Sequence, residues 1–268
     1  MKKVSVIMAV YNSENTIEAS IESIIKQSFC DWELIVCDDG STDNTYAILQ
    51  EYQGKYREKI LIIKNDKNSK LPFSLNRCLE YATGKYIARM DADDLSDKYR
   101  LEKQVDFLEK HPEYDACGTG MVCFDETGII GERNSVIDPG PHNIGPSVPF
   151  FHATIMMKKQ VYDDLGGYSL KKSVLRCEDV DLWFRFFANG YKGYNLEESL
   201  YLVREDMSAV KRRNIRNALN ASKTLLNGYI TYHYPVKQYI YVVKPLISIL
   251  IPRRLKYYIN KTRWKVRK

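Results

Sequence analysis

Across the first ninety residues, short runs rich in β-branched side chains alternate with stretches of helical spacing, and each run ends in a polar loop. Val4 to Val10 is such a run and ends at Tyr11-Asn12-Ser13. Ile17, Ile21, Ile24 and Ile25 then share a helical face, with Asn15 and Glu18 spaced as a capping box. Glu33 to Cys37 ends in Asp38-Asp39-Gly40-Ser41 and is followed by a helix through Ala47, Ile48, Leu49 and Tyr52. Ile60 to Ile63 is a third strand, and Pro72 opens a helix carrying Leu75, Leu79 and Ala82. Tyr86 to Met90 is a fourth, ending in Asp91-Ala92-Asp93-Asp94. This alternation predicts an α/β chain with a mostly parallel sheet and helices on both faces.

Ligands of open α/β sheets bind at the carboxyl ends of the strands. The loops at Tyr11, at Asp38-Asp39 and at Asp91 to Asp94 should therefore meet on one acidic rim, which a cation or hydrogen-bond donors must offset. Beyond residue 100 the spacing predicts a helix through Leu101, Val105 and Leu108, then a hairpin with arms at Ala116 to Phe124 and Ile129-Ile130. A Pro/Gly-rich loop, Asp138 to Pro149, precedes the apolar stretch Phe151 to Met157, and Glu178-Asp179 opens a helix with Leu182, Trp183, Phe186 and Phe187.

Charge divides the chain. The 268 residues carry 40 Lys+Arg and 34 Asp+Glu, a net +6, in otherwise ordinary globular proportions. From Lys211 to the end there are fifteen basic residues and no acid, so the part before it has 25 basic against 34 acidic groups, a net −9. An acidic body and a basic tail imply different partners, the tail's being anionic. Leu255, Tyr258, Ile259 and Val266 recur at helical intervals among the cations of the tail, as in an amphipathic element on an anionic membrane surface. A basic face packed on the body and a nucleic-acid patch are the other readings, and no nucleic-acid module accompanies it. The six cysteines form no CxxC pair and Met1-Lys2-Lys3-Val4 leads straight into a strand, so reduced, buried thiols and a cytoplasmic location are expected. Tyr239 to Ile251, broken by Lys244 and Pro245, falls short of the ~20 apolar residues of a spanning helix.

Asp91-Ala92-Asp93 is a D-x-D, a spacing able to hold a hard divalent cation that bridges substrate phosphates, although acidic triplets also occur in plain exposed turns. With V-S-V-I-M-A-V-Y-N, V-C-D-D-G-S-T-D, G-K-Y-I-A-R-M-D-A-D-D and E-D-V-D-L-W-F-R in this order, the chain resembles glycosyltransferase family 2 of the bacterial surface-polysaccharide type over roughly residues 4–190. The resemblance implies a GT-A fold with a Rossmann-like sheet and a catalytic unit over residues 1–205; residues 206–268 lie outside it and are expected, from their charge and spacing, to be a helical, basic, membrane-associating extension. It implies a nucleotide-binding set of Ala9, Tyr11, Asp39, Lys70, Asn76 and Asp91, with Asp93 as ligand of Mn²⁺ or Mg²⁺ and Asp94 a further candidate. Asp179, beside Glu178, takes the general-base position.

The activity so implied is inverting transfer of a sugar from a nucleotide-diphosphate donor, UDP-linked, to a saccharide or lipid-linked saccharide at the inner membrane face. The chemistry fits, since such transfer needs a stabilised diphosphate leaving group and a base at the attacking hydroxyl. Glu178 and Asp179 could instead only complement a helix dipole. A sugar nucleotidylyltransferase or a dehydrogenase would want a Gly-rich loop after the first strand, and Tyr11-Asn12-Ser13-Glu14 is none. An inactive nucleotide-binding or membrane scaffold would not need Asp39, Asp91, Asp93 and Asp179 together.

The chain departs from the family at several positions. Ala9 stands where Pro is usual, Lys70 and Cys78 where Gly is, and Leu202 to Asp206 lacks the His of an Arg-x-x-His segment. Lys70 either occupies a backbone shape suited to glycine or reaches the phosphates. His152 is either a metal or acceptor-site residue or a satisfied structural histidine, and Arg185 is expected to pair with a neighbouring acid.

Overall fold

Strand β1 (Val4–Val10) shows why the sheet is buried on both faces. Val4, Val6, Met8 and Val10 enter one core, and the intervening Ile7 enters the other. The same period of two runs through β2 (Trp32–Asp38), where Leu34 and Val36 face one way and Ile35 and Cys37 the other. The first core is closed by α1 (Ile17–Ile25), α2 (Thr45–Lys55) and α4 (Arg100–Lys110), through residues such as Ile21, Leu49 and Val105. The second is closed by α3 (Leu71–Tyr81), α5 (Lys159–Leu165) and α6 (Glu178–Ala188), through Leu75, Tyr162 and Trp183. The computed structural model describes residues 2–205 and 214–250.

The remaining strands are β3 (Ile60–Lys64), β4 (Tyr86–Asp91), β5 (Leu95–Ser96), β6 (Ala116–Asp125), β7 (Gly128–Arg133), β8 (Met156–Lys158) and β9 (Gly193–Arg204). The sheet runs β3-β2-β1-β4-β8-β6-β9-β5, with β7 paired to β6 in the expected hairpin. Strands β1 to β4 are mutually parallel, and β8 lies antiparallel between β4 and β6. A buried cation braces this insertion. Arg100 donates to the carbonyl of Arg89 on β4 at 2.8 Å and lies over the Tyr201 ring, and burial lowers its pKa to about 10.

One expectation is corrected. The Asn15–Glu18 capping box does not form: Thr16 is the N-cap of α1, and its hydroxyl donates instead to the carbonyl of Ala92 at 2.9 Å. Helix α7 (Ile215–Thr231) buries Ala218, Leu225 and Tyr229, and the last two join the second core beside α6. Residues 214–250 end in a 3₁₀ turn (Val236–Val243) and α8 (Lys244–Leu250). The amphipathic part of the basic tail, from Arg253, lies outside the described residues. No helix among the described residues is long and apolar enough to cross a membrane. All six cysteines are free, and five are buried; Cys30 is exposed.

Candidate active site

Strand register builds the rim. Ala9 lies opposite Cys37 on β2 and opposite Asp91 on β4, and Val10 opposite Asp38, so the next residues of each strand emerge side by side. The first two loops are tied together by their own side chains. The Asn12 backbone N–H donates to Ser41 Oγ at 3.0 Å, Thr42 N–H to Asn12 Oδ1 at 2.8 Å, and Ser13 N–H to Thr45 Oγ1 at 2.7 Å. Asn12 turns the chain with φ 50°, a conformation asparagine tolerates.

Of the two acids at the end of β2, Asp38 is fully buried beneath the rim and Asp39 lines it. Asp39 accepts from Asn65 Nδ2 and Ser69 N–H through Oδ1 and from Lys70 N–H through Oδ2, each at 2.8 Å. Lys70 has φ 79° and ψ 159°, a region that is essentially glycine's. The glycine-suited backbone is therefore real, and the exposed lysine also lines the cavity. That cavity measures about 700 Å³ and includes Ala9, Tyr11, Asp39, Lys70 and Glu178.

Asp91, Asp93 and Asp94 place one carboxylate oxygen each within 4.8 Å of the others. Their loop is held from two sides by contacts to its backbone. Thr16 and Ser20 of α1 donate to the carbonyls of Ala92 and Asp94, the latter at 2.7 Å, and Arg204 Nε donates to the carbonyl of Asp93 at 3.1 Å. Asp91 pairs with buried Arg89, and Asp94 accepts from Arg204 N–H at 2.8 Å. Burial, then the charges of Asp91 and Asp93, push the Asp94 carboxyl up to about 8. Three hard oxygen donors that crowd one another in this way fit Mg²⁺ or Mn²⁺.

Glu178 and Asp179 occupy the first turn of α6, where the helix dipole favours carboxylates. They face different spaces. Glu178 lines the large cavity, and Asp179 lines a second one of about 310 Å³ between α6 and α7, walled by Trp183, Leu225 and Val148. Burial raises both carboxyls, and the Val180 N–H, donating to Asp179 Oδ1 at 2.9 Å, opposes the rise at Asp179.

Two expected residues stand apart from this rim. Asn76 spends its side chain on Tyr168, donating to its carbonyl at 2.8 Å and accepting its N–H at 2.7 Å, under the loop after α5. His152 is half-buried, with its Nε2 2.8 Å from the Tyr168 hydroxyl, and desolvation of its ring pushes its pKa well below the usual value. Arg185 pairs with Asp181 at 2.8 Å, as expected.

Three arginines escape the sequence reading. Arg176, at φ 69°, and Arg216 line the large cavity, and Arg204 braces the acidic loop. The run Leu175-Arg176-Cys177 before the acid pair carries no pattern that singles it out. Arg204 does lie in the segment that lacks the family's His, and that departure marks the place.

A sequence model described as glycosyl transferase family 2 matches residues 5–177. The chain belongs to that family. It is 49% identical over 250 residues to "Putative glycosyltransferase EpsE" of Bacillus subtilis (strain 168), covering 93% of this chain and 90% of the relative. It is 28% identical to the UDP-Glc:alpha-D-GlcNAc-diphosphoundecaprenol beta-1,3-glucosyltransferase WfaP of Escherichia coli, covering 92% and 96%. This family-2 glycosyltransferase has the GT-A fold. It superposes on S. aureus TarS 1-349 in complex with UDP with a TM-score of 0.65, at 23% identity over 84% of this chain and 66% of that one. For the mannosyltransferase PcManGT from Pyrobaculum calidifontis in complex with GDP-Man and Mn2+ the score is 0.63, at 16% identity over 97% and 80%. The acid pair Glu178-Asp179 begins one residue beyond the family match.

Proposed function

We propose that this glycosyltransferase moves a sugar, with inversion, from a UDP-linked donor to a hydroxyl of a lipid-linked saccharide in surface-polysaccharide assembly, and that it depends on a divalent metal. One observation carries the reading: consecutive carboxylates at the start of α6 open into two adjoining cavities, one bordered by the nucleotide-type residues and the other not. The donor would occupy the larger. Tyr11 packs against the base, Asp39 accepts from its edge, and Lys70, Arg176 and Arg216 supply positive charge toward the phosphates. Asp93, with Asp91 and Asp94, would hold Mn²⁺ or Mg²⁺, which supplies charge neutralisation to the leaving diphosphate.

Asp179 then accepts the proton of the acceptor hydroxyl from the second cavity. The oxygen forms its bond to the anomeric carbon as the bond to the diphosphate oxygen breaks on the opposite face. Inversion follows without a covalent sugar–enzyme intermediate. The UDP donor and the lipid-linked acceptor rest on the similarity to WfaP, and the membrane setting on the acid-free tail.

The test is a screen of nucleotide sugars with Mn²⁺, read as release of nucleoside diphosphate, with Asp93→Ala and Asp179→Asn alongside. Turnover of a UDP-sugar that both variants lose is expected. No bound donor, or two variants that match the wild type, overturns the reading.

A further inference from the structure

The last described segment turns an apolar face to solvent. Its inner side, Tyr239 and Val242, packs on the second core and Gln238 is buried, whereas Val236, Ile240, Val243, Ile247 and Leu250 stay exposed at 85, 69, 46, 55 and 81%. Together they make an exposed apolar stripe along the 3₁₀ turn and α8. Single exposed aliphatics need no explanation, but a contiguous patch of this kind marks an interaction surface. Helix α7 carries a second exposed row at helical spacing, Ile215, Leu219, Leu226 and Ile230.

Two further observations indicate what covers the stripe. No acid occurs from residue 207 to the end, and the eight Lys/Arg of residues 253–268 follow the stripe directly in sequence. In addition, the cavity containing Asp179 has Pro245 and Ser248 of α8 in its wall, so the stripe and the cavity share one helix. A second copy of this chain packed symmetrically on the stripe would bring the same acid-free segment and set like charges together. An anionic bilayer offers both an apolar interior and countercharge.

We propose that residues 236–250 lie on an anionic lipid surface with this stripe inserted at the headgroup–acyl boundary, which brings the mouth of the Asp179 cavity to the bilayer. The inference deepens the reading of a lipid-linked acceptor and moves the docking face from the basic tail alone to an apolar element of the folded body.

The experiment is cosedimentation of the full chain with vesicles of phosphatidylcholine and phosphatidylglycerol, comparing wild type with the double variant Ile240→Ser, Ile247→Ser. Partitioning should fall roughly tenfold or more in the variant, with its melting temperature unchanged. Wild type that leaves the vesicles in solution, or a variant that binds as wild type does, overturns the proposal. It is equally overturned by a wild-type dimer that the variant dissolves without any vesicle binding, which assigns the stripe to a contact between copies. A lowered melting temperature with binding unchanged assigns the stripe to packing within the chain and overturns the proposal as well. Vesicle binding needs no turnover, so its failure is distinguishable from failure of the glycosyl-transfer reading, which the nucleotide-sugar screen reports.

Discussion

Lys70 donates its backbone N–H to Asp39 Oδ2 at 2.8 Å from a conformation, φ 79° and ψ 159°, in which a side chain is strained. Such strain costs about 1–3 kcal/mol, offset in part by the greater chain entropy of an unfolded glycine. Lys70→Gly should therefore stabilise the fold by about 1 kcal/mol in urea unfolding, whereas Lys70→Ala should not. Both should weaken donor binding if the ammonium meets the phosphates, and calorimetric titration with UDP separates the two effects. A Lys70→Gly protein less stable than wild type would contradict the strain argument.

Removal of divalent metal by a chelator should abolish nucleoside diphosphate release, and Mn²⁺ or Mg²⁺ should restore it. Asp93→Ala should lower turnover by a factor on the order of 10² or more, the scale of a lost electrostatic stabiliser. Thr16, Ser20 and Arg204 hold the backbone of that loop, so the variant should keep its circular dichroism spectrum. Full activity in the presence of chelator would remove the metal from the mechanism.

Burial raises the Asp179 carboxyl above its ordinary value of 3.8. As a base it works only when ionised, so kcat/KM should fall as pH drops through this raised pKa, and the acid limb should lie above that of a free aspartate. The same shift penalises the folded state fully above the folded pKa and not at all below the unfolded one. Asp179→Asn should thus be inactive yet more stable than wild type at neutral pH, with the gain fading as the pH is lowered. Melting temperatures across the acid range decide it.

Asn76→Ala should cost about 1–3 kcal/mol, because it leaves the buried Tyr168 backbone groups without their partners. The KM for donor should stay as in wild type. A raised KM with unchanged stability would return Asn76 to the nucleotide set.

The first four strands can be read from sequence because parallel strands buried on both faces are unbroken apolar runs, and the loops between them hold the candidate site. Strand β8 cannot, since three residues within the apolar stretch Phe151 to Met157 are too few to display a period. Arg89 and Arg100 hide for a different reason: the partners that make them tolerable inside the fold, Asp91, Gln104 and distant carbonyls, declare themselves only in three dimensions. Helix α7 disappears into a basic tail when charge is counted over the whole segment, although the spacing of Ala218, Leu225 and Tyr229 already marks a core-facing side.

The side-chain ties between Asn12, Ser13 and the Ser41–Thr45 loop have a consequence for how this family could diversify. That wall is already tied together by its own side chains, so on the proposed reading capturing the base would cost little ordering entropy there. On the proposed reading, changes of sugar preference would be cheapest on the facing wall, where Asn217 and Asn220 of α7 contribute side chains beside the phosphate-directed Arg176 and Arg216. One half of the pocket would be inherited nearly fixed, and the other half left open to mutation.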